Sequence, residues 1–152
     1  MTNEGKNSYF GIGIEGGKTK SNFETLWRSA VNFGASYIFT IGCRHSEHPA
    51  DTVNSWKKIP SFSFKDVDDF LNHLPYKSSL IGVEIGEYSE SLSAFTHPKN
   101  AIYILGPEDG NLNQSIQDNC KAIVSIDSIY CLNVAVAGSI VMYDRTTKEI
   151  KR

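Results

Sequence analysis

The 152-residue sequence predicts an α/β domain whose mostly parallel sheet is covered by helices on both faces, and three observations point to it. Runs such as Tyr37-Ile-Phe-Thr-Ile41 and Ala101-Ile-Tyr-Ile-Leu105 are apolar nearly throughout, and continuous hydrophobicity marks strands buried on both faces. Segments with helical spacing alternate with these runs, as the crossovers between parallel strands require. Glycine-rich or polar loops follow the strands, at the carboxyl ends where ligands of open α/β sheets bind.

Taken in order, Tyr9 to Ile14 reads as a strand, followed by the turn at Gly16-Gly17. Ser21 and Glu24 form an S-x-x-E capping box, and Phe23, Leu26, Trp27, Ala30 and Val31 recur at helical spacing until Gly34. Tyr37 to Ile41 is a strand, and a polar loop runs from Gly42 to about Asn54. Ile59 to Phe64 is a weaker strand. Asp66 caps a helix with Val67, Phe70, Leu71 and Leu74 on one face, and Pro75 stops it. Leu80 to Ile85 is a strand, Ser89 to Phe95 a short helix, and Ala101 to Leu105 a strand ending at Gly106-Pro-Glu-Asp-Gly110. A short helix over Leu112 to Asp118 and a strand from Ala122 to Ile126 follow. Leu132 to Tyr143 is an apolar helix rich in small residues, and residues 145–152 are a charged tail.

This length fits a single domain, residues 1–152, with a real core. A net charge of −2 excludes a polybasic nucleic-acid binder, so any basic surface must be local. No apolar run approaches the about 20 residues of a membrane span, and no signal pattern opens the chain, so a cytoplasmic protein without membrane contact is expected. Cys43, Cys120 and Cys131 are odd in number and lack a C-x-x-C pair, which argues for reduced thiols over a disulfide framework or zinc ribbon.

Gly17-Lys18-Thr19 resembles the end of a phosphate cradle, but G-x-x-x-x-G-K-[ST] requires glycine where Ile12 stands. Gly11 and Gly13 are each one residue out of register, and a β-branched residue resists the backbone conformation needed there. Cys43, His45 and His48 have ligand chemistry, but a closed metal site needs a fourth donor that the nearby sequence does not supply; no metal is expected.

Three segments carry more. Asn22-Phe-Glu-Thr-Leu-Trp-Arg28 leads into Phe33-Gly34-Ala35; Ile104-Leu-Gly-Pro-Glu108-Asp-Gly-Asn-Leu112 ends a strand; Cys131-Leu-Asn133-Val-Ala-Val-Ala137 opens the last helix. In order and separation they resemble the three motifs of the TrmH (SpoU) family of SPOUT-class RNA ribose methyltransferases, over about Phe10 to Tyr143. The chain departs from the family pattern at Cys131, where serine is usual, and at Ile123-Val124-Ser125, where Ile-Pro-Met is usual.

The resemblance implies an α/β sheet with a C-terminal trefoil knot, a homodimer, and no separate RNA-binding extension. It implies S-adenosylmethionine as cofactor and methyl transfer to a ribose 2′-hydroxyl of tRNA, or less readily rRNA, and not DNA; the alternative is a non-catalytic relative that binds cofactor or RNA. Arg28, Asn22, Glu108, Asn133 and Cys131 take the catalytic positions, and Leu105, Gly106, Gly110, Ile126 and Leu132 the cofactor-binding ones. Lys18, Lys20, Arg28 and Arg44 supply a local basic rim for RNA phosphates. A sulfonium methyl donor is already activated, so such a site mainly needs to align a hydroxyl oxygen with the methyl carbon.

Overall fold

The computed structural model describes residues 8–43 and 57–150. Along these the chain runs β1 (Tyr9–Glu15), α1 (Lys20–Asn32), β2 (Tyr37–Ile41), β3 (Ser61–Phe64), α2 (Val67–Asn72), β4 (Ser79–Val83), β5 (Glu90–Ser91), a 3-10 turn (Leu92–Ala94), β6 (Asn100–Leu105), α3 (Gln114–Asn119), β7 (Ala122–Ser125) and α4 (Val134–Ile150). The seven strands among the described residues form one sheet, ordered β3-β2-β1-β6-β4-β7-β5. Every pairing in it is parallel.

Alternation along the strands divides the core into two layers. Phe10, Ile12, Ile14, Tyr103 and Leu105 pack with Leu26 and Trp27 of α1 and Val141 and Met142 of α4. Phe39, Ile41, Ile102 and Ile104 pack with Phe70 of α2 and Ile116 of α3 on the other face. The glycines between the isoleucines of β1 belong to this second face. A Cβ on Gly11 would lie 2.5 Å from the Tyr37 ring, and one on Gly13 would press even harder on the ring and carbonyl of Phe39. Gly-Ile-Gly-Ile thus makes room for aromatic rings of β2 and has no part in a phosphate cradle.

Several elements differ from the sequence expectation. The Ser21–Glu24 capping box does not form: α1 begins at Lys20 with Thr19 as its N-cap, and no side chain of that cap bonds to the helix. Glu24 instead lies 3.8 Å from Lys20. Ser89 to Phe95 is a two-residue strand followed by a single 3-10 turn. Ser91 Oγ donates to Asp127 at 2.8 Å there, and a segment this short gains too few backbone bonds to offset helix nucleation.

The largest difference is at the C-terminus, where α4 runs on through Ile150 and takes in the first part of the expected tail. Arg145 is only 1% exposed. Its Nη1 donates to Pro98 O at 2.7 Å and to Tyr103 Oη at 3.1 Å, and its Nη2 to Lys99 O at 2.9 Å. Lys148 Nζ donates to Leu92 O and Phe95 O and lies 2.8 Å from Asp144. Buried His97 completes the network, with Nδ1 2.6 Å from Tyr103 Oη and Nε2 2.7 Å from Asp144. Charged groups can be buried here because carbonyls and a carboxylate meet them. They pin the far end of α4 to the segment before β6, and so fix where its first turn lies.

Candidate active site

A cleft of about 450 Å³ opens at the carboxyl ends of β4, β6 and β7, beside the first turns of α1 and α4. The two helices pack side by side, with Ser139 Oγ donating to Ser29 Oγ at 2.8 Å. This packing brings together three residues that are far apart in sequence. Asn133 Nδ2 donates to Asn22 Oδ1 at 2.9 Å, and Asn22 Nδ2 donates to Glu108 Oε1 at 3.1 Å.

The direction of this relay is fixed at both ends. Asn133 Oδ1 accepts the amides of Ala135 at 2.9 Å and Val136 at 3.2 Å, capping α4, so its nitrogen must be the group that faces Asn22. At the other end Glu108 accepts, and Asn22 must present its nitrogen.

Glu108 also receives the amides of Lys18 at 3.1 Å and Thr19 at 3.4 Å. A carboxylate from the β6–α3 loop therefore supplies the start of α1 with the acceptor that Ser21 and Glu24 were expected to provide. Partial burial pushes the Glu108 carboxyl up, but bonds from Asn22, its own amide, Lys18 and Thr19 outweigh that, and the balance is downward. Glu108 is an anion at neutral pH.

The other expected positions distribute unevenly. Leu105, Gly106, Gly110, Ile126, Leu132 and Cys131 line the cleft with Asn22, Glu108 and Asn133. Arg28 does not line it. It is an exposed residue on α1, two turns beyond Asn22, about 9 Å along the axis at the usual helical rise. Lys18 is exposed beside the Glu108 contact, and Lys20 lies next to Glu24. Arg44, His45 and His48 lie outside the described residues, and among those described no group of side chains could hold a metal ion.

The sequence reading missed Glu84, Ile85, Ser125 and Ser128, which also line the cleft. Glu84 Oε2 accepts Leu112 N at 2.8 Å and its Oε1 accepts Ile85 N at 3.1 Å. A carboxylate placed by the sequence inside the run Leu80 to Ile85 was the available signal: β4 ends at Val83, and Glu84 is the first residue beyond it.

The arrangement can hold a ligand against main-chain groups and small or apolar side chains, with an oriented amide relay at one end. At Gly106 the walls are tight: a Cβ there would lie 3.0 Å from Leu112 N and 3.3 Å from Glu84 Oε2.

No curated protein matches the sequence significantly. Solved structures do match the fold. The SpoU methyltransferase AviRb from Streptomyces viridochromogenes superposes with a TM-score of 0.84 at 18% identity, covering 94% of this chain and 60% of its own. A protein described in terms of 2-OH methylation of C/U34 on tRNA gives a TM-score of 0.81 at 16% identity, covering 96% of this chain and 99% of its own. The A. aeolicus TrmH/SpoU tRNA modifying enzyme gives 0.78 at 17% identity, covering 97% and 80%. This chain therefore spans about 60% of the length of AviRb. At the level of sequence, the model of the SpoU rRNA Methylase family matches residues 10–143. A match over nearly the whole chain, on a fold shared with SpoU methyltransferases, means that this protein belongs to the SpoU rRNA methylase family.

Proposed function

We propose that the chain is an RNA methyltransferase that moves the methyl group of S-adenosylmethionine to a ribose 2′-hydroxyl, with tRNA as substrate. The observation that carries the reading is the Asn133–Asn22–Glu108 relay on the wall of a cleft of about 450 Å³. The residues present fit the cofactor. Leu105, Ile126 and Leu132 offer apolar surface for an adenine, and Gly106 leaves the main chain open to hydrogen bonding. AviRb has also been crystallised in complex with AdoMet.

S-adenosylmethionine supplies an activated methyl group; what this chain's residues do is position. Glu108 and Asn133 hold the Asn22 amide in one orientation, and the three polar groups orient the ribose. Arg28, outside the cleft on the exposed face of α1, anchors a phosphate of the RNA through its planar guanidinium. The hydroxyl proton leaves to water. Cys131 takes the serine position as a weaker hydrogen-bonding group, and Lys18, Lys20 and Arg44 form the basic rim for RNA.

The likeness in fold to the protein linked to 2-OH methylation of C/U34 on tRNA supports tRNA over rRNA. A homodimer belongs to the same reading. α1 and α4 leave an apolar groove between Phe33, Val136, Ile140 and Tyr143, with Val136 46% and Tyr143 61% exposed, surface that a second copy would cover. So do the trefoil knot, for which β7 entering between β4 and β5 is the supporting feature, the single-domain organisation, and a cytoplasmic location. Among the described residues no helix is long and apolar enough to cross a membrane.

Incubation of the pure protein with labelled donor and bulk RNA, followed by nucleoside analysis, tests the proposal. Label in 2′-O-methylated nucleosides of the tRNA fraction is expected. Label confined to bases or to rRNA refutes the substrate assignment, and donor binding without transfer to any RNA identifies the non-catalytic alternative.

A further inference from the structure

Two side chains that line the cleft are acidic, Glu84 and Glu108, and among the described lining residues none is lysine, arginine or histidine. The two carboxylates are not equivalent. Glu108 faces three donors, two of them amides at the start of α1, where the helix itself is positive. Glu84 receives one neutral amide on each oxygen, Leu112 N at 2.8 Å, just ahead of the α3 N-cap Asn113, and Ile85 N at 3.1 Å. A carboxylate oxygen accepts more than one hydrogen bond, so neither contact exhausts Glu84.

Its field is felt by its neighbour. Glu15, at the end of β1 on the other side of β6, accepts Asn113 N at 2.8 Å. Burial pushes the Glu15 carboxyl up, the Asn113 amide pulls it down, and the charge of Glu84 adds to the upward push.

We propose that Glu84 makes the cleft a reader of ligand charge, selecting the sulfonium methyl donor over its demethylated product and over anionic nucleotides. The inference rests on the methyl-donor reading of the same cleft. S-adenosylmethionine carries a sulfonium and an ammonium against one carboxylate and is a net cation, whereas S-adenosylhomocysteine is a neutral zwitterion of nearly the same shape. Contacts to adenine, ribose and the amino-acid end are common to both, so they cannot separate the two; a fixed negative charge in a cleft whose described lining carries no cation can. It favours loss of the product after each transfer and entry of fresh donor. The same charge opposes nucleoside triphosphates, consistent with the absence of a phosphate cradle beside the cleft.

Calorimetric titration of the full chain with S-adenosylmethionine and S-adenosylhomocysteine, in the wild type and in Glu84→Gln, tests this. Glutamine keeps one oxygen, which can accept Leu112 N, so the loop contact survives while the charge and the local contact to Ile85 N are removed. The variant should lose donor affinity by about threefold to tenfold, the scale of one unit charge acting across a partly solvated cleft, while product affinity changes less than about twofold. Equal shifts for both ligands, or none, overturn the proposal. Should the variant fail to fold, the wild type decides: raising NaCl from about 0.05 to about 0.5 M must weaken donor binding more than product binding, and equal weakening overturns it. Failure of both ligands to bind the wild type refutes the methyl-donor reading itself, a result distinct from equal shifts.

Discussion

Asn133 does two things at once, and two substitutions separate them. Its Oδ1 caps α4 through the amides of Ala135 and Val136, while its Nδ2 donates to Asn22. Asn133→Ala removes both functions. Loss of an N-cap costs about 1 kcal/mol, which for a domain of this size lowers Tm by about 2–4 °C. Asn133→Asp keeps the capping oxygen and adds a charge that the helix start favours by about 0.3–1 kcal/mol, offset by the approach of that charge to Asn22 Oδ1. Its Tm should stay within about 2 °C of the wild type. It has no N–H to offer, however. The Asn22 amide must then turn over to meet the new carboxylate, and its oxygen faces Glu108, so the relay fails at one junction or the other. Removing one preorganised group of this kind lowers transfer by about 100-fold. Thermal unfolding and single-turnover methylation of RNA, measured on both variants at neutral pH, give the comparison. Full transfer activity in Asn133→Asp would show that the relay positions nothing, and melting as early as Asn133→Ala would show that the cap assignment is wrong.

Other expectations concern separate parts of the molecule. Gly13→Ala forces a methyl group into the Phe39 ring and carbonyl and should cost about 1–3 kcal/mol in urea unfolding; a loss below about 0.5 kcal/mol would mean that β2 yields easily. Arg28→Ala should abolish transfer and leave cofactor affinity unchanged, and equal loss of both would make Arg28 a determinant of the cleft's shape. Burial lowers the His97 pKa; the bond and charge of Asp144 oppose this, and the charges of Arg145 and Lys148 add to it. The folded protein then binds this proton less readily than the unfolded chain. The stability involved is present above the ordinary histidine value of 6.5 and is lost as pH falls from there through the folded value. Stability between pH 7 and 5 should therefore fall less steeply in His97→Gln than in the wild type, and parallel slopes would contradict the burial argument. Iodoacetamide at pH 8 should label exposed Cys131 before Cys120, whose thiol burial pushes up to about 11. S-adenosylhomocysteine should protect Cys131, and unprotected labelling would place the ligand away from it.

Much of the frame was legible from local pattern. Tyr37–Ile41 has the residues of a buried strand and is one, and Asp66 caps α2 by accepting the Asp69 amide, as its position before an apolar face implies. The three motif segments were legible as an ordered set, and nine of the ten residues they and the cofactor loops offered for the cleft do line it; Arg28 is the exception. Local chemistry was less informative where a polar group had a choice of partners. Ser21 and Glu24 satisfied the rule for a helix start, yet α1 is capped two residues earlier, at Thr19, where Glu108 reaches the amides of Lys18 and Thr19 from the β6–α3 loop. Residues 145–150 look like a soluble tail until carbonyls before β6 receive Arg145 and Lys148.

The sequence by itself determined the alternation of strands and helices, the two-sided burial of the sheet and the family motifs, since periodicity and cap chemistry operate over a few residues. Only the tertiary structure decided that Gly11 and Gly13 accommodate aromatic rings, that Glu108 serves α1, and that Glu84 belongs to the cleft. A backbone amide or carboxylate pairs with whatever group folding brings within hydrogen-bond reach, and sequence distance does not enter that choice.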